Sequence, residues 1–444
     1  MTPLTRLFAT SFLLLFAIAT RAQVAGAERI ESVTLDNGMT LIVWPDADIP
    51  NVALYNWVSV GSRNEVPGIT GLAHFFEHMM FNGTSTRQPG AFDKELEASG
   101  ARNNASTSSD VTIYQDWFPG GALELVFDLE SDRLRNLAFD PKVIESERGV
   151  VYSERRLSVD DNNFGRLMEQ VTASAFIAHP YSIPTIGWPS DIENWSIDDL
   201  KKFFATHYAP NNCTMILVGD VDPKQVITLA HKYFDSIPRQ PAPDPIRTKE
   251  PEQHGERRVR VEAEAQTPLL QFAYHSVAGG DPRVPALELL ARVLTDGDAS
   301  RLHRALVEEQ KLAISVDSHV ESGFDPGLFW LFVTLPAQGD LDRTEKAFDA
   351  ELDRIRTQGV TAAELSRARN QALADFWRGM ATIDGKAEAL GSYAVIKGGY
   401  RKLFDAPREY EKVTIEDLKK LANDLLQESK RTVGVLASAA KEAR

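Results

Sequence analysis

The sequence predicts an α+β protein of two homologous α/β-sandwich domains, each an antiparallel-rich sheet packed with helices, related by internal duplication. Three observations carry this expectation. Residues 197–202 (IDDLKK) recur 218 positions later as residues 415–420 (IEDLKK), and each copy precedes an apolar strand pattern, TMILVG at 214–219 and TVGVLA at 432–437. Within each half, strands lead into a run of helices and back to a strand, which favours α+β layers over a regular βαβ alternation. Between the halves, residues 238–251 (PRQPAPDPIRTKEP) place five prolines in fourteen positions. That density favours an extended linker over a packed element. The expected organisation is a signal segment at 1–27, a catalytic N-terminal domain at 28–237, the linker at 238–251, and a non-catalytic homologous domain at 252–444.

The elements follow in order. Arg6 precedes the apolar run LFATSFLLLFAIA at 7–19, the right length for a secretory signal and too short to span a bilayer comfortably. Small residues allow cleavage after Ala22 or Ala27. No cysteine follows the run, so a lipoprotein anchor is unsupported, and no later stretch approaches about 18 uninterrupted apolar residues. An exported protein without a stable membrane anchor is expected, in the periplasm for a Gram-negative source. Export permits disulfides, yet Cys213 is the only cysteine and falls in the buried-strand pattern CTMILVG. The net charge of −15, or −17 without Arg6 and Arg21, argues against nucleic acid and anionic membranes as partners.

Residues 33–43 (VTLDNGMTLIV) read as a hairpin turning at Asn37-Gly38. Residues 51–60 (NVALYNWVSV) are rich in β-branched and aromatic side chains and end at Gly61, a strand pattern. Their second-half counterpart is TPLLQFAYHSVAG at 267–279. Long helices are expected at 123–136, 140–157 and 344–358.

The chemistry concentrates after the 51–60 strand, in His74-Phe75-Phe76-Glu77-His78. On a helix running from Gly71 to Phe81, with Thr70 as N-cap and Asn82-Gly83 as the stop, His74 and His78 share one face. Two imidazoles at that spacing can grip one zinc ion, and Glu77 lies close enough to act on a metal-activated water. H-x-x-E-H is the inverted form of the metallopeptidase helix. A core helix with two satisfied histidines would give the same spacing without the chemistry.

A catalytic zinc site requires a third protein ligand. The helix opening at Asp140, with Pro141 at its first position, carries Glu145, Glu147 and Glu154. Glu147 and Glu154 lie two turns apart on one face, so one can bind the metal while the other supports it. Alternatively, these glutamates pair with Arg148, Arg155 and Arg156 in solvent.

The H-x-x-E-H motif, followed about 76 residues later by Glu147-Arg-Gly-Val-Val-Tyr-Ser-Glu154, resembles the pitrilysin and insulinase family. The branch that includes mitochondrial processing peptidase is the most similar. Asn104-Ala105-Ser106-Thr107, Asp110-Val-Thr112-Ile-Tyr114, Phe139-Asp140-Pro141 and Tyr208-Ala-Pro210-Asn211 agree, so the resemblance spans residues 28 to 440. It implies one Zn²⁺ per chain held by His74, His78 and Glu154, with Glu147 assisting and Glu77 as general base. It also implies peptide substrates that meet the backbone at Asn104 and Ala105 by strand addition.

One departure matters. The family's C-terminal domain carries an Arg and, seven residues on, a Tyr that hold substrate and oxyanion. Here those positions are Val307 and Ile314, within LVEEQKLAI at 306–314. Neither donates a hydrogen bond, and losing one such donor costs roughly 10²–10³ in rate. The second half also lacks a zinc motif, with ALELLARVL at 286–294 in its place. The resemblance therefore implies the zinc-bearing subunit of a heterodimer whose homologous partner supplies Arg and Tyr around a closed chamber. A homodimeric processing peptidase and a non-catalytic peptide-binding core subunit are the alternatives. His179 is expected to shape a loop or to be purely structural.

Overall fold

The computed structural model describes residue 24 and residues 26–438. The signal segment expected at 1–27 lies outside them, apart from Val24, Gly26 and Ala27. Two sheets with helices packed against them give the α+β architecture expected from the sequence.

The first sheet contains β1 (Glu31–Thr34), β2 (Thr40–Pro45), β3 (Asn51–Val58), β4 (Arg102–Thr107), β5 (Thr112–Pro119) and β6 (Cys213–Gly219), in the order β1-β2-β6-β3-β5-β4. The second contains β7 (Arg257–Ala263), β8 (Leu269–His275), β9 (Ser315–Val320), β10 (Leu328–Thr334) and β11 (Arg431–Ser438), in the order β7-β11-β8-β10-β9. Strand for strand, β2-β6-β3-β5-β4 maps onto β7-β11-β8-β10-β9. In each, the first pair is parallel and the remaining three are antiparallel. The first sheet adds only β1, paired to β2 through the Asn37-Gly38 turn, where Gly38 takes φ 92°. Between the sheets, residues 238–256 carry no helix or strand.

The helices of the first half are α1 (Leu72–Met79), α2 (Ala91–Ala98), α3 (Leu123–Asn136), α4 (Pro141–Arg155) and α5 (Asn163–Ala175), followed by shorter helices and by Ile197–His207 and Pro223–Phe234. The helix expected at 344–358 begins earlier, as Leu341–Gln358, because Asp340 caps it by accepting from Arg343 N. One face of the first sheet packs on α1, α3 and their neighbours around Leu54, Tyr114, Phe127 and Leu217. The second half builds an equivalent core around Phe272, Leu290, Leu331 and Phe348.

The other face of each sheet is covered by a helix from the opposite half. Ile383–Val395 lies across the first sheet, burying Trp44, Trp57 and Val218 with its own Ala387 and Leu390. Reciprocally, α5 lies across the second sheet, its Leu167 and Val171 against Ala273, Trp330 and Leu436. Both contacts are close enough to demand glycine. A Cβ on Gly391 would stand 2.1 Å from Trp57 Nε1, and one on Gly434 of β11 would stand 2.4 Å from Val171 Cγ2.

Polar contacts lock the same junction. Arg63 pairs with Asp110 at 2.8 Å and with Asp325 of the second half at 2.7 Å. Tyr181 donates to Asp110 at 2.8 Å and accepts from Asp325 N at 3.0 Å. His179 is structural here. Its Nδ1 accepts from Tyr181 N at 3.2 Å, and its Nε2 lies 3.3 Å from Asp325.

Candidate metal centre

Helix α1 owes its orientation to its aromatic residues. Phe75 packs on Trp195 with ring centroids 5.0 Å apart, and Phe76 stacks on Phe203 at 5.9 Å. Leu72, Ala73 and Met79 are buried with them. With that side committed to the core, His74 and His78 emerge together on the other, their rings 4.8 Å apart. Burial of this face is the main reason so short a helix forms, since eight residues are too few to be stable alone.

The start of α1 differs from expectation. Thr70 is not its cap. The Thr70 hydroxyl donates to Asp191 at 2.7 Å and accepts from Trp188 N. The N-cap is Gly71, at φ 87°, and the helix N–H groups find a carboxylate from further back: Glu65 accepts from Gly71 N and Ala73 N, each at 2.7 Å. The buried Glu65 carboxylate is raised well above its ordinary value by burial, against the pull of those two N–H donors. Gly71 itself is pressed against the 184–188 loop, where a Cβ would meet Ile186 O at 2.7 Å.

Helix α4 brings the acids. Asp140 caps it by accepting from Lys142 N at 2.7 Å, with Pro141 at the first helical position. Arg148 is tied to the Trp195 carbonyl at 2.8 Å, and Arg155 to Glu169 at 2.8 Å and the Gly187 carbonyl at 2.7 Å. Glu145 lies 3.4 Å from Arg148, and Arg156 lies 3.9 Å from Asp161. Among the described residues, no arginine pairs with Glu147 or Glu154, and both turn toward α1. The helix then runs into a π-helical turn, Arg156–Asp160, directly after Glu154.

Glu147 Oε1 lies 2.7 Å from His78 Nδ1, a contact that fixes the ring and turns Nε2 outward. Glu154 Oε2 lies 3.4 Å from His78 Nε2 and 3.6 Å from His74 Nε2. The donor atoms of His74, His78 and Glu154 all fall within 4.8 Å of one another. Ligand atoms of a tetrahedral zinc site, with bonds of about 2.0–2.1 Å, stand roughly 3.3–3.5 Å apart. Two imidazole nitrogens and one carboxylate oxygen at this spacing therefore fit zinc.

The two imidazoles are shifted in opposite directions. Burial, aided by neighbouring His78 and opposed by Glu154, pushes His74 down to about 4, so its imidazole is neutral and free to ligate. Burial opposes charge on His78 too, but hydrogen bonds to Glu147 and Glu154 outweigh it and push the ring up to about 9. Glu154 is held below the usual carboxylate range, chiefly by its hydrogen bond to His78. Glu77 is raised by burial, against a 2.5 Å hydrogen bond from Thr107 Oγ1.

Asn104 and Ala105 stand in β4, opposite Gln115 and Tyr114 of β5. Because β4 is the last strand of its sheet, its other edge pairs with no strand among the described residues. Val307 is half-buried against the second core, while Ile314 is 54 % exposed. In the second half, the helix Val284–Thr295 follows β8 as α1 follows β3, and it carries an arginine and no histidine. Arg292 pairs with Asp375 and with Asp296, each at 2.7 Å.

The sequence offered no sign of Glu65 as the cap of α1. Nor did it assign Thr107 a role beside Glu77, although that residue stands in a motif. Both contacts depend on chain segments brought together by folding.

A model described as Insulinase (Peptidase family M16) matches residues 43–188, and one described as Peptidase M16 inactive domain matches residues 194–372. The zinc protease PqqE of Helicobacter pylori is 30% identical over 412 residues, covering 90% of this chain and 91% of that protein. Mitochondrial-processing peptidase subunit beta of Lentinula edodes is 27% identical, covering 89% of this chain and 87% of its own. The crystal structure of a protease from Helicobacter pylori superimposes with a TM-score of 0.88 at 29% identity, covering 92% of this chain and 99% of that one. The periplasmic protease PqqL of Escherichia coli shares the fold at a TM-score of 0.77 and 21% identity, with 94% of this chain matching 48% of that longer one.

Proposed function

Because the chain belongs to the insulinase family of zinc peptidases, we propose that it is a zinc-dependent endopeptidase subunit that cleaves peptides enclosed in a chamber. The convergence of His74, His78 and Glu154 around one point, with Glu77 on the same helix, is the observation that carries this reading.

His74, His78 and Glu154 would hold one zinc ion per chain, and Glu147 would keep the His78 ring turned toward it. When bound, zinc supplies a Lewis acid for the scissile carbonyl and for water activation. Glu77 accepts the proton of the attacking water and returns it to the leaving amine. The substrate lies as an added strand along the free edge of β4, its backbone meeting Asn104 and Ala105.

Val307 and Ile314 have no hydrogen to give an oxyanion. The missing donors come from a homologous partner subunit bearing Arg and Tyr at those two positions, so the working enzyme is a heterodimer. A signal within residues 1–27 directs export, to the periplasm of a Gram-negative cell. The burial of Val24 against the first sheet favours cleavage after Ala22, which keeps that side chain in the mature protein.

The test is direct. Glu77→Gln should retain zinc by elemental analysis and lose turnover, whereas His78→Ala should lose both. Retained hydrolysis in Glu77→Gln removes Glu77 as the base. Full peptidase activity from the purified wild-type chain alone removes the heterodimer.

A further inference from the structure

We propose that Thr107 is a positioning residue that holds Glu77 in one orientation and so links the peptide-binding edge of the first sheet to the catalytic base; the inference rests on Glu77 being that base. Thr107 is the last residue of β4, and its Oγ1 lies 2.5 Å from Glu77 Oε2.

The direction of that hydrogen bond follows from counting protons. A hydroxyl has one hydrogen to donate. Thr112 Oγ1, 3.4 Å from Thr107 Oγ1, spends its hydrogen on the Val60 carbonyl at 3.0 Å. An ionised Glu77 carboxylate can only accept, so Thr107 gives its one hydrogen to Oε2 at 2.5 Å rather than to the more distant Thr112 Oγ1. With Oε2 occupied, Oε1 is the oxygen that remains for a water molecule.

The frame around this contact is stiff. Thr107 is β-branched, so its hydroxyl has few χ1 alternatives. On the helix side, Tyr114 of β5 donates to the Phe76 carbonyl at 3.2 Å. The strand pair and α1 are therefore joined twice, once by backbone through Phe76 and once by the base itself. A glutamate without its tether would sample several rotamers, most of which aim the carboxylate away from the two histidines. A peptide paired with β4 would lie beside the strand that ends in Thr107, so its seating and the aim of the base share one rigid piece.

Thr107→Val removes the donor and keeps the shape. In crystals of the zinc-loaded variant, Glu77 should leave its wild-type rotamer while His74, His78 and Glu154 stay in place. In the assembly in which the wild type cleaves a quenched-fluorescence peptide, kcat should fall about 10- to 100-fold with KM within about twofold. Thr107→Ser should restore the rate. In a Glu77→Gln background, Thr107→Val should add no further loss. An unmoved Glu77 in the crystals, or an undiminished kcat where Glu77→Gln is inactive, overturns the role of Thr107 alone. An active Glu77→Gln overturns the assignment of the base.

Discussion

At the scale of single residues, the arrangement separates gripping the metal from aiming the grip. Glu147 is outside the three residues proposed to hold the metal, yet its 2.7 Å contact with His78 Nδ1 decides which nitrogen faces Glu154. Removing such a partner typically weakens metal affinity about 10- to 100-fold. Glu147→Ala is therefore expected to lose zinc to a chelator at correspondingly lower concentration, with the fold intact by circular dichroism. The histidines and Glu77 were legible in the sequence because a helix fixes their relations within five positions. Glu147 and Glu154 were legible as a pair for the same reason, and the resemblance divided their roles. Glu65 and Thr107 were not, because no local periodicity relates a loop carboxylate or a strand hydroxyl to a helix it meets only after folding. Thr70 shows the converse error: a residue of the right type at the right position had already given its hydroxyl to Asp191.

At the scale of elements, the strand at 51–60 and the long helices at 123–136, 140–157 and 344–358 could be read, but not their destinations. Helix α5 and the helix Ile383–Val395 went unread, and each covers the sheet of the other half. Gly434 is the point of closest approach on the second sheet. Gly434→Ala would force Cβ into Val171, and overpacking of this kind costs about 1–3 kcal/mol. Urea unfolding should register that loss, and a Val171→Ala background should recover part of it. The Ile383–Val395 helix also carries Lys386, which pairs with Asp46 at the end of the β2 strand. Burial would raise Asp46, but Lys386 outweighs it and holds the carboxyl below its ordinary 3.8. A lowered carboxyl contributes stability above its unfolded pKa and loses it as pH falls through the folded value. Asp46→Asn should thus lower the urea midpoint at pH 6, and the deficit should shrink as acidification carries the pH below 3.8 and through the lowered value.

At the scale of the whole molecule, the duplication was visible because the two copies keep one strand order and one short sequence signature. What the repeat could not reveal is that neither copy is self-sufficient. A fragment of residues 28–237 would expose Trp44, Trp57 and Val218, and one of residues 252–444 would expose Ala273, Trp330 and Leu436. Each fragment alone is expected to bind a hydrophobic dye and to lack a cooperative thermal transition. Mixed, the two should regain the transition and the zinc affinity of the intact chain. Two well-folded solitary fragments would contradict this account.

The reciprocal loan of one helix also constrains ancestry. A half-length chain with either sheet would have a bare flank, and two identical copies lending each other that helix would clothe both at once. On this view the two halves are a couple tethered in one chain, of which the first brings His74, His78 and Glu154 together.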